Sequence, residues 1–155
     1  MDRVVFEDVG RIKQFEDGAV VFSENEPGRS MFVVESGRIR RTRTATHESE
    51  EIVTPLAEIG PGAFFGEMAL FDVARRSPTA TAVGDVQLRK VSRKDLEAGI
   101  RANPEIALQF LERMSKRIRK TDALIERLLV REKLAEDVFA EVSALRHPES
   151  FASTP

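Results

Sequence analysis

Two patterns of hydrophobic and polar residues divide the chain near residue 91. From Val4 to Val91, short apolar runs rich in Val, Ile, Phe and Thr are broken repeatedly by Gly, Pro, Asn and Asp. Such runs are typical of β-strands joined by turns. Because the runs follow one another closely, this half is predicted to form a β-barrel or β-sandwich.

One polar stretch interrupts this strand-like half. Residues Thr44 to Glu51 are polar and acidic, and an apolar strand-like run lies on either side of them. Polar segments between two strands usually lie at the surface and are mobile. The sequence therefore predicts that this whole stretch is the tip of a β-hairpin.

After Val91 the pattern becomes helical. Ser92-Arg93-Lys94-Asp95 is typical of a helix start. A second start follows at Asn103-Pro104-Glu105, where Asn103 can cap the helix and Pro104 suits its first turn. No Gly or Pro interrupts the chain from there to Pro148, so long helices are expected.

The helical half carries two apolar series. The first has the alternating spacing of three and four residues that marks a coiled-coil-like seam, with one polar member. Its members are Leu111, Met114, Ile118, Thr121, Ile125 and Leu128. The second series is out of phase with the first, which predicts a bend or a new helix near Glu132. Its members are Leu134, Val138, Val142 and Leu145, and a frayed, disordered tail is expected from Pro148 to Pro155.

Composition and charge exclude several classes of function. The chain has no Cys, which excludes disulfides, thiolate metal sites and a cysteine nucleophile. A net charge of -2 provides no general attraction to nucleic acid or membranes, so any anion must be bound by a local site. His47 and His147 lack companions at metal-ligand spacing, so no metal site is predicted. The sequence has neither a signal peptide nor a transmembrane run, which predicts a cytoplasmic protein.

Candidate chemistry is concentrated in the segment from Gly60 to Phe71 and in the run Arg75 to Ala82. Gly66 allows the backbone to approach a ligand closely, and Glu67 to Leu70 can form one helical turn whose free N–H groups attract an anion. Arg76 can neutralise a phosphodiester with two parallel hydrogen bonds.

The remaining polar groups of this segment indicate which anion it would bind. Ser77 can add one more donor beside Arg76. Glu67 would repel a phosphate unless it accepts a hydrogen bond from a neutral hydroxyl such as that of a ribose. A compact ligand with one phosphate charge and one free sugar hydroxyl is a ribose cyclic phosphate.

The run Phe65-Gly66-Glu67-Met68-Ala69-Leu70, followed by Arg76-Ser77, resembles the phosphate-binding cassette of the cyclic nucleotide-binding domain. That family occurs in catabolite activator-type regulators, regulatory subunits of cyclic AMP-dependent kinase and nucleotide-gated channels. The resemblance implies a mainly β fold with α-helices, in which a jelly-roll-like β-roll (a double-stranded β-helix) precedes C-terminal lid and dimerisation helices. It covers nearly the whole chain. The domain is expected over residues 1–131, with the roll at 4–91 and hinge and lid helices at 92–131, and a C-terminal helix and tail at 132–155.

The resemblance also implies roles for individual residues. Gly66 and the amides of Met68 and Ala69 would line the cyclic phosphate and ribose. Glu67 would accept the ribose 2′-hydroxyl, and Arg76 and Ser77 would hold the phosphate. Two residues of the lid helix, Arg117 and Thr121, stand at matching distances from Arg76 and would face the ligand, Thr121 toward the base.

Each role has a simpler alternative. Glu67 and Arg76 could form a structural ion pair within a loop. Thr121 could bond to its own helix backbone or tune the register of the seam. Arg117 could belong to a solvated basic face. Two departures from the family pattern are Asp122, where serine often follows the threonine, and Pro78, which removes one backbone donor beside the phosphate.

The predicted function is a receptor for a cyclic nucleotide, with cyclic AMP favoured over cyclic GMP by Ser77 and Thr121. The protein is expected to need no cofactor and to catalyse no reaction. Ligand binding would shift the helices from Asn103 to Leu129 and change an output surface, and the apolar seam would pair two copies as a homodimer. A downstream protein is expected to read this output surface.

Three alternatives concern what the sensor is attached to. The chain could be a fragment of a transcription regulator, although too few residues follow Arg131 for a winged DNA-binding domain, so direct DNA binding is not expected. It could be a piece of a channel or of a larger signalling protein. It could also be a degenerate, ligand-free interaction module, which the presence of Glu67 and Arg76 argues against.

Overall fold

Strands fill the first part of the chain and helices the last. The computed structural model describes residues 6–72, 75–132 and 136–146. The elements are β1 (Arg11–Phe15), β2 (Val20–Phe22), β3 (Ser30–His47), β4 (Glu50–Ile59), β5 (Phe64–Phe65), α1 (Met68–Phe71), β6 (Thr79–Ser92), α2 (Arg93–Ala102), α3 (Glu105–Glu132) and α4 (Glu136–Arg146). The chain divides into two compact units, Met1–Gln109 and Phe110–Pro155. All six strands lie in the first unit.

The two longest strands organise the sheet. β3 pairs with β4, β5 and β6, and β6 also pairs with β1 and β2, so that the main order is β1-β6-β3-β4. Every pairing is antiparallel. The predicted class, mainly β with C-terminal α-helices, is confirmed.

Three phenylalanine rings lie in the centre of the core of the first unit. Phe22 and Phe32 have ring centroids 6.0 Å apart, and Phe65 lies 5.7 Å from Phe22 and 5.5 Å from Phe32. Burying one such side chain contributes roughly 1.5–3 kcal/mol to stability. These rings therefore join β2, β3 and β5. The rest of the buried cluster comprises Val34, Ile39, Ala80, Ala82, Val86 and Leu88.

The hairpin between β3 and β4 differs from the sequence expectation. The ladder continues through the polar stretch, with Thr44 opposite Val53 and His47 opposite Glu50. Only Glu48 and Ser49 form the turn, with φ of 49° and 74°. A two-residue turn with positive φ at both positions has the twist of the flanking strands, so pairing can extend to the end of the hairpin. The prediction that residues 44–51 form the tip is therefore wrong.

The predicted helix starts are confirmed. Ser92 and Asp95 form a capping box at α2, in which Asp95 N–H donates to Ser92 Oγ at 3.2 Å and Ser92 N–H donates to Asp95 Oδ2 at 2.9 Å. Asn103 Oδ1 accepts the N–H of Glu105 at 3.2 Å, next to the start of α3. Both starts thus satisfy helix donors with side chains, as the sequence suggested.

The second unit contains a helical hairpin. α3 ends at Glu132 and α4 begins at Glu136. Arg146 at the end of α4 donates to Glu126 Oε1 of α3 at 2.7 Å, so α4 runs back along α3. Leu134 of the second apolar series and the expected tail at 148–155 lie outside the described residues.

Candidate functional site

A tight turn brings the cassette (residues 65–70 with Arg76 and Ser77) to the edge of β3. Ala63 N–H donates to Gly60 O at 3.1 Å, and Gly62 has a φ of 84°, a conformation that favours glycine. Val34 of β3 receives the N–H of Gly62 at 2.8 Å and donates to Ala63 O at 2.9 Å. These bonds fix the path of the chain into β5 and the cassette.

Gly66 follows β5 with a φ of 73°. A Cβ atom at this position would lie 2.5 Å from Nη1 of Arg76. The glycine is therefore required by its backbone conformation and by the arginine that packs against it, in addition to any approach of a ligand.

Glu67 is the N-cap residue of the short helix α1. Its own side chain is buried, with 7% exposed, although it makes no cap bond to the helix. Ala69 N–H donates to Gly66 O at 3.3 Å and Leu70 N–H donates to Glu67 O at 3.0 Å. The Ala69 amide, predicted to face a phosphate, thus already has a long hydrogen bond, whereas Met68 stands at the first helical position, where amides lack an intrahelical acceptor.

Arg76 is the central charged group of the site. Its side chain is 7% exposed. Nη1 donates to Gly66 O at 3.0 Å and Nη2 donates to Ser30 O at 2.7 Å. Nε is buried and has no hydrogen-bond partner among the described residues. The guanidinium is therefore hydrogen-bonded to neutral carbonyl groups, which do not themselves neutralise its positive charge.

Burial lowers the pKa of Arg76 below its ordinary value, and the nearby carboxylates of Glu26 and Glu67 partly oppose this shift. Arginine side chains stay protonated in proteins at neutral pH. The site consequently keeps a cation in a partly desolvated position, where an incoming anion would interact more strongly than at the surface.

The backbone of Arg76 is fixed by the turn between β2 and β3. Asn25 N–H donates to Arg76 O at 2.8 Å, and Arg76 N–H donates to Glu26 O at 2.9 Å. Arg75 adds a side-chain bond from Nη1 to Asn25 O at 2.7 Å. Asn25 itself has a φ of 66°, which asparagine tolerates better than most residues. This turn therefore determines where the arginine enters the site.

Three residues that contact Arg76 were not assigned to the site by the sequence. Ser30 supplies a carbonyl acceptor, and the ring centroid of Phe22 lies 4.2 Å from Cζ of Arg76. A Cβ atom on Gly28 would overlap the guanidinium. The run Glu26-Pro27-Gly28 was visible as a strand break, but nothing local indicated that it faces an arginine about fifty residues later.

The other predicted residues fall in two places. Ser77 is exposed beside Arg76 in the first unit. Arg117 and Thr121 lie on α3 in the second unit, where the Thr121 hydroxyl donates to Arg117 O at 3.0 Å. That bond is the backbone contact considered as the simpler alternative for Thr121. A contact of either residue with a ligand stays a prediction.

Within 6–72, 75–132 and 136–146, no three side chains of His, Cys, Asp or Glu are grouped so that they could hold a metal ion. Among the helices described, none combines the length and apolar character needed to cross a membrane.

Comparison with known proteins identifies relatives of this arrangement. The family described as the cyclic nucleotide-binding domain matches residues 12–103. The CRP-like cAMP-activated global transcriptional regulator of Mycobacterium tuberculosis is 33% identical over 108 residues, which are 70% of this chain and 47% of that protein. The chain thus spans about half the length of that relative.

Solved structures share the fold. The catabolite activator protein of Thermus thermophilus superposes with a TM-score of 0.67 and 30% identity, covering 81% of this chain and 64% of that one. A structure titled for a cyclic-GMP-dependent signalling pathway that regulates bacterial phytopathogenesis gives a TM-score of 0.60 and 28% identity, covering 74% and 89% of the two chains. Both likenesses agree with the predicted β-roll.

Proposed function

The chain belongs to the cyclic nucleotide-binding domain family, and from this premise we propose that it is a receptor for cyclic AMP. The observation that supports this best is the buried Arg76, whose hydrogen bonds go to Gly66 and Ser30 carbonyls. A cyclic phosphodiester has one negative charge, which matches one guanidinium. Each charge-assisted hydrogen bond between them contributes about 1.5–3 kcal/mol.

Glu67 would bind the sugar of the ligand. It is buried beside Gly66, at the start of α1, in the same loop that approaches Arg76. A carboxylate in that position can accept a hydrogen bond from the ribose 2′-hydroxyl, whereas it would repel a second anionic group. The pair of Glu67 and Arg76 thus favours a ligand with one hydroxyl and one phosphodiester over inorganic phosphate or a nucleoside monophosphate.

Discrimination between the two bases is assigned to Thr121 and Ser77. Because the Thr121 hydroxyl donates to Arg117 O, its oxygen can still accept a hydrogen bond. The exocyclic amino group of adenine is a donor, whereas the group at the same ring position of guanine is an acceptor. This supports cyclic AMP over cyclic GMP. The names of the relatives include both nucleotides, so the preference depends on the residues of this chain.

The output of the receptor would come from its helices. Ligand binding would shift the population of α3 positions, with the residues from Asn103 to Leu129 acting as a lid over the base. Three apolar seam residues of α3 are exposed, namely Leu111, Ile118 and Leu128. Such a stripe favours pairing with a second copy, which makes a homodimer the proposed assembly. The ligand would be released unchanged, as expected of a sensor rather than an enzyme.

A second candidate is the same sensor within a longer regulator or channel. It is favoured by the length of the relatives, since the aligned part of this chain covers only 47% of the mycobacterial regulator. In that case the helices would transmit the ligand-dependent change to a domain beyond them. The nucleotide site itself is the same in both candidates.

The test is calorimetric titration of ligand-free protein with cyclic AMP and cyclic GMP. Arg76→Ala should lose at least about tenfold in affinity, about 1.4 kcal/mol, because the phosphate contact is removed. Arg40→Ala is the matched control, since that exposed arginine pairs with Glu58 on the hairpin. No heat with either nucleotide, on folded protein, would instead support the interaction module that has lost its ligand.

A second arm of the same titration examines Glu67. Glu67→Ala should weaken binding of cyclic AMP by about tenfold but leave binding of its 2′-deoxy analogue unchanged. Only cyclic AMP has the 2′-hydroxyl that donates a hydrogen bond to Glu67. Equal losses for both ligands would mean that Glu67 has a structural role only.

A further inference from the structure

The guanidinium of Arg76 lies on an aromatic floor that its proposed role as a phosphate ligand does not explain. Cζ of Arg76 is 4.2 Å from the centroid of the Phe22 ring and 5.9 Å from that of Phe32. Both distances fall within the range in which a cation is attracted by the negative face of an aromatic ring. Phe22 is the closer by 1.7 Å and so provides most of this attraction.

The contacts of Arg76 act in different directions. The bonds from Nη1 to Gly66 O and from Nη2 to Ser30 O fix two corners of the planar guanidinium. In-plane bonds of this kind do not by themselves prevent the plane from tilting. The Phe22 ring covers one face, and the Gly28 backbone lies against Nε and Cζ. Together they hold both the position and the plane of the group.

The ring also offsets a cost of burial. A guanidinium taken out of water loses hydration, and Nε of Arg76 recovers none of it through a hydrogen bond to the described residues. An aromatic face compensates a desolvated cation without cancelling its charge, whereas a carboxylate at contact distance would compete with an incoming phosphate. The contact of Arg76 with the Phe22 ring is therefore compatible with a site that must bind an anion.

We propose that Phe22 is a positioning residue for nucleotide binding, whose π face holds the Arg76 guanidinium in the plane that the cyclic phosphate requires. This inference rests on the proposed function, since it concerns the same site. Phe22 itself lies beneath the arginine and acts through it. The sequence pattern assigns Phe22 to the core, where its ring indeed packs against two other phenylalanines.

Phe65 provides a matched control for this dual role. Its ring is 5.7 Å from that of Phe22 and 5.5 Å from that of Phe32, and it is 1% exposed. Of the three rings in this cluster, only Phe22 and Phe32 have the Arg76 guanidinium over them. A change at Phe65 therefore alters the same packing without altering the cation–π contact.

The experiment replaces each ring in turn by phenylalanines with one, two and three fluorines. Fluorination weakens the negative face of the ring while changing its shape little. At Phe22, affinity for cyclic AMP should fall stepwise, by about three- to tenfold in total, with small changes in melting temperature. At Phe65 the same series should leave affinity unchanged. In an Arg76→Ala background the Phe22 series should also become flat.

The outcomes separate the two proposals. Binding by the unmodified protein, with a flat series at Phe22, would overturn the positioning role and leave the receptor function intact. Equal losses at Phe22 and Phe65 would assign the effect to core packing and also overturn it. Failure of the unmodified, folded protein to bind either cyclic nucleotide would overturn the receptor function and this inference together.

Discussion

The cassette and the long helix α3 leave different kinds of group unsatisfied. In the cassette the remaining demand is electrostatic, because Arg76 is buried with a charge that its two carbonyl acceptors do not cancel. In α3 the demand is hydrophobic, because Leu111 and Ile118 are 61% and 58% exposed. A small anion can satisfy the first, and only another apolar surface can satisfy the second. The two units therefore match the two proposed partners, a cyclic nucleotide and a second copy of the chain.

The largest effect is expected on the apolar seam of α3. Ile118→Glu would place a carboxylate in the middle of the proposed dimer interface, where it cannot be hydrated. Sedimentation equilibrium should show that the dissociation constant of the dimer rises roughly hundredfold, which corresponds to about 2.8 kcal/mol. The resulting monomer should still bind the phosphate of a cyclic nucleotide in its cassette, since Arg76 belongs to the first unit and Ile118 to the second.

Val130→Glu is the control for that substitution. Val130 is 82% exposed on the same helix but falls outside the seam positions. The dimer should survive this change. Loss of the dimer in both variants would show that any added charge on α3 is disruptive, and an unmodified protein that sediments as a monomer would contradict the pairing itself.

An intermediate effect is expected where the turn meets the arginine. Gly28 has an ordinary φ, but an added Cβ would overlap the Arg76 guanidinium. Gly28→Ala should therefore displace Arg76 from its two carbonyls and lower affinity for cyclic AMP by about tenfold in calorimetry. The substitution should have no further effect in an Arg76→Ala background, because the displaced group is then absent.

Gly60→Ala distinguishes this clash from a general loss of glycine. The nearest atom to a Cβ at Gly60 is Cγ of Arg38, at 4.0 Å, which is an ordinary contact. Affinity should be unchanged in this variant. If the two alanine variants bind cyclic AMP equally well, Arg76 can move without loss and its observed position is not the binding position.

Features encoded in local sequence were predictable. The helix start at Ser92 and the short helix after Gly66 each depend on residues within a few positions of one another. Their signals are capping side chains and glycine conformations, which a single sequence displays. The contact between Gly66 and Arg76 agrees with the resemblance to the family cassette, whereas binding of a ligand by Gly66, Glu67 and Arg76 stays a prediction.

Features that depend on distant pairing were missed. Ser30 meets Arg76 across 46 positions, because the backbone from Asn25 to Pro27 pairs with that of Arg75 and Arg76. Phe22 was assigned to the core because a ring under a cation and a ring in a core have the same sequence pattern. The predicted hairpin tip, residues 44–51, was too long. Both faces of these paired strands are exposed, so their polar residues have the same sequence pattern as a loop.

The smallest effect is expected at the capping box of Ser92 and Asp95, which is part of neither the cassette nor the apolar seam of α3. Hydrogen bonds from the Ser92 side chain and backbone hold the pKa of Asp95 below its ordinary value. Such a carboxylate stabilises the fold above its unfolded pKa, near 3.9, and this contribution is lost as the pH falls through the lower folded value. Ser92→Ala should cost about 1 kcal/mol of unfolding free energy at pH 7.

The acid dependence of that cost makes the prediction specific. In urea unfolding, the difference between Ser92→Ala and the unmodified protein should shrink as the pH falls below about 4. Protonation of Asp95 removes the charge-assisted hydrogen bond from the Ser92 hydroxyl, which only the unmodified protein has. Ser115→Ala, an exposed serine inside α3, should cause no loss at any pH, since alanine is the better helix former. Affinity for cyclic AMP should be unchanged in both variants. A constant difference across the acid range would show that the box acts through its neutral hydrogen bonds alone.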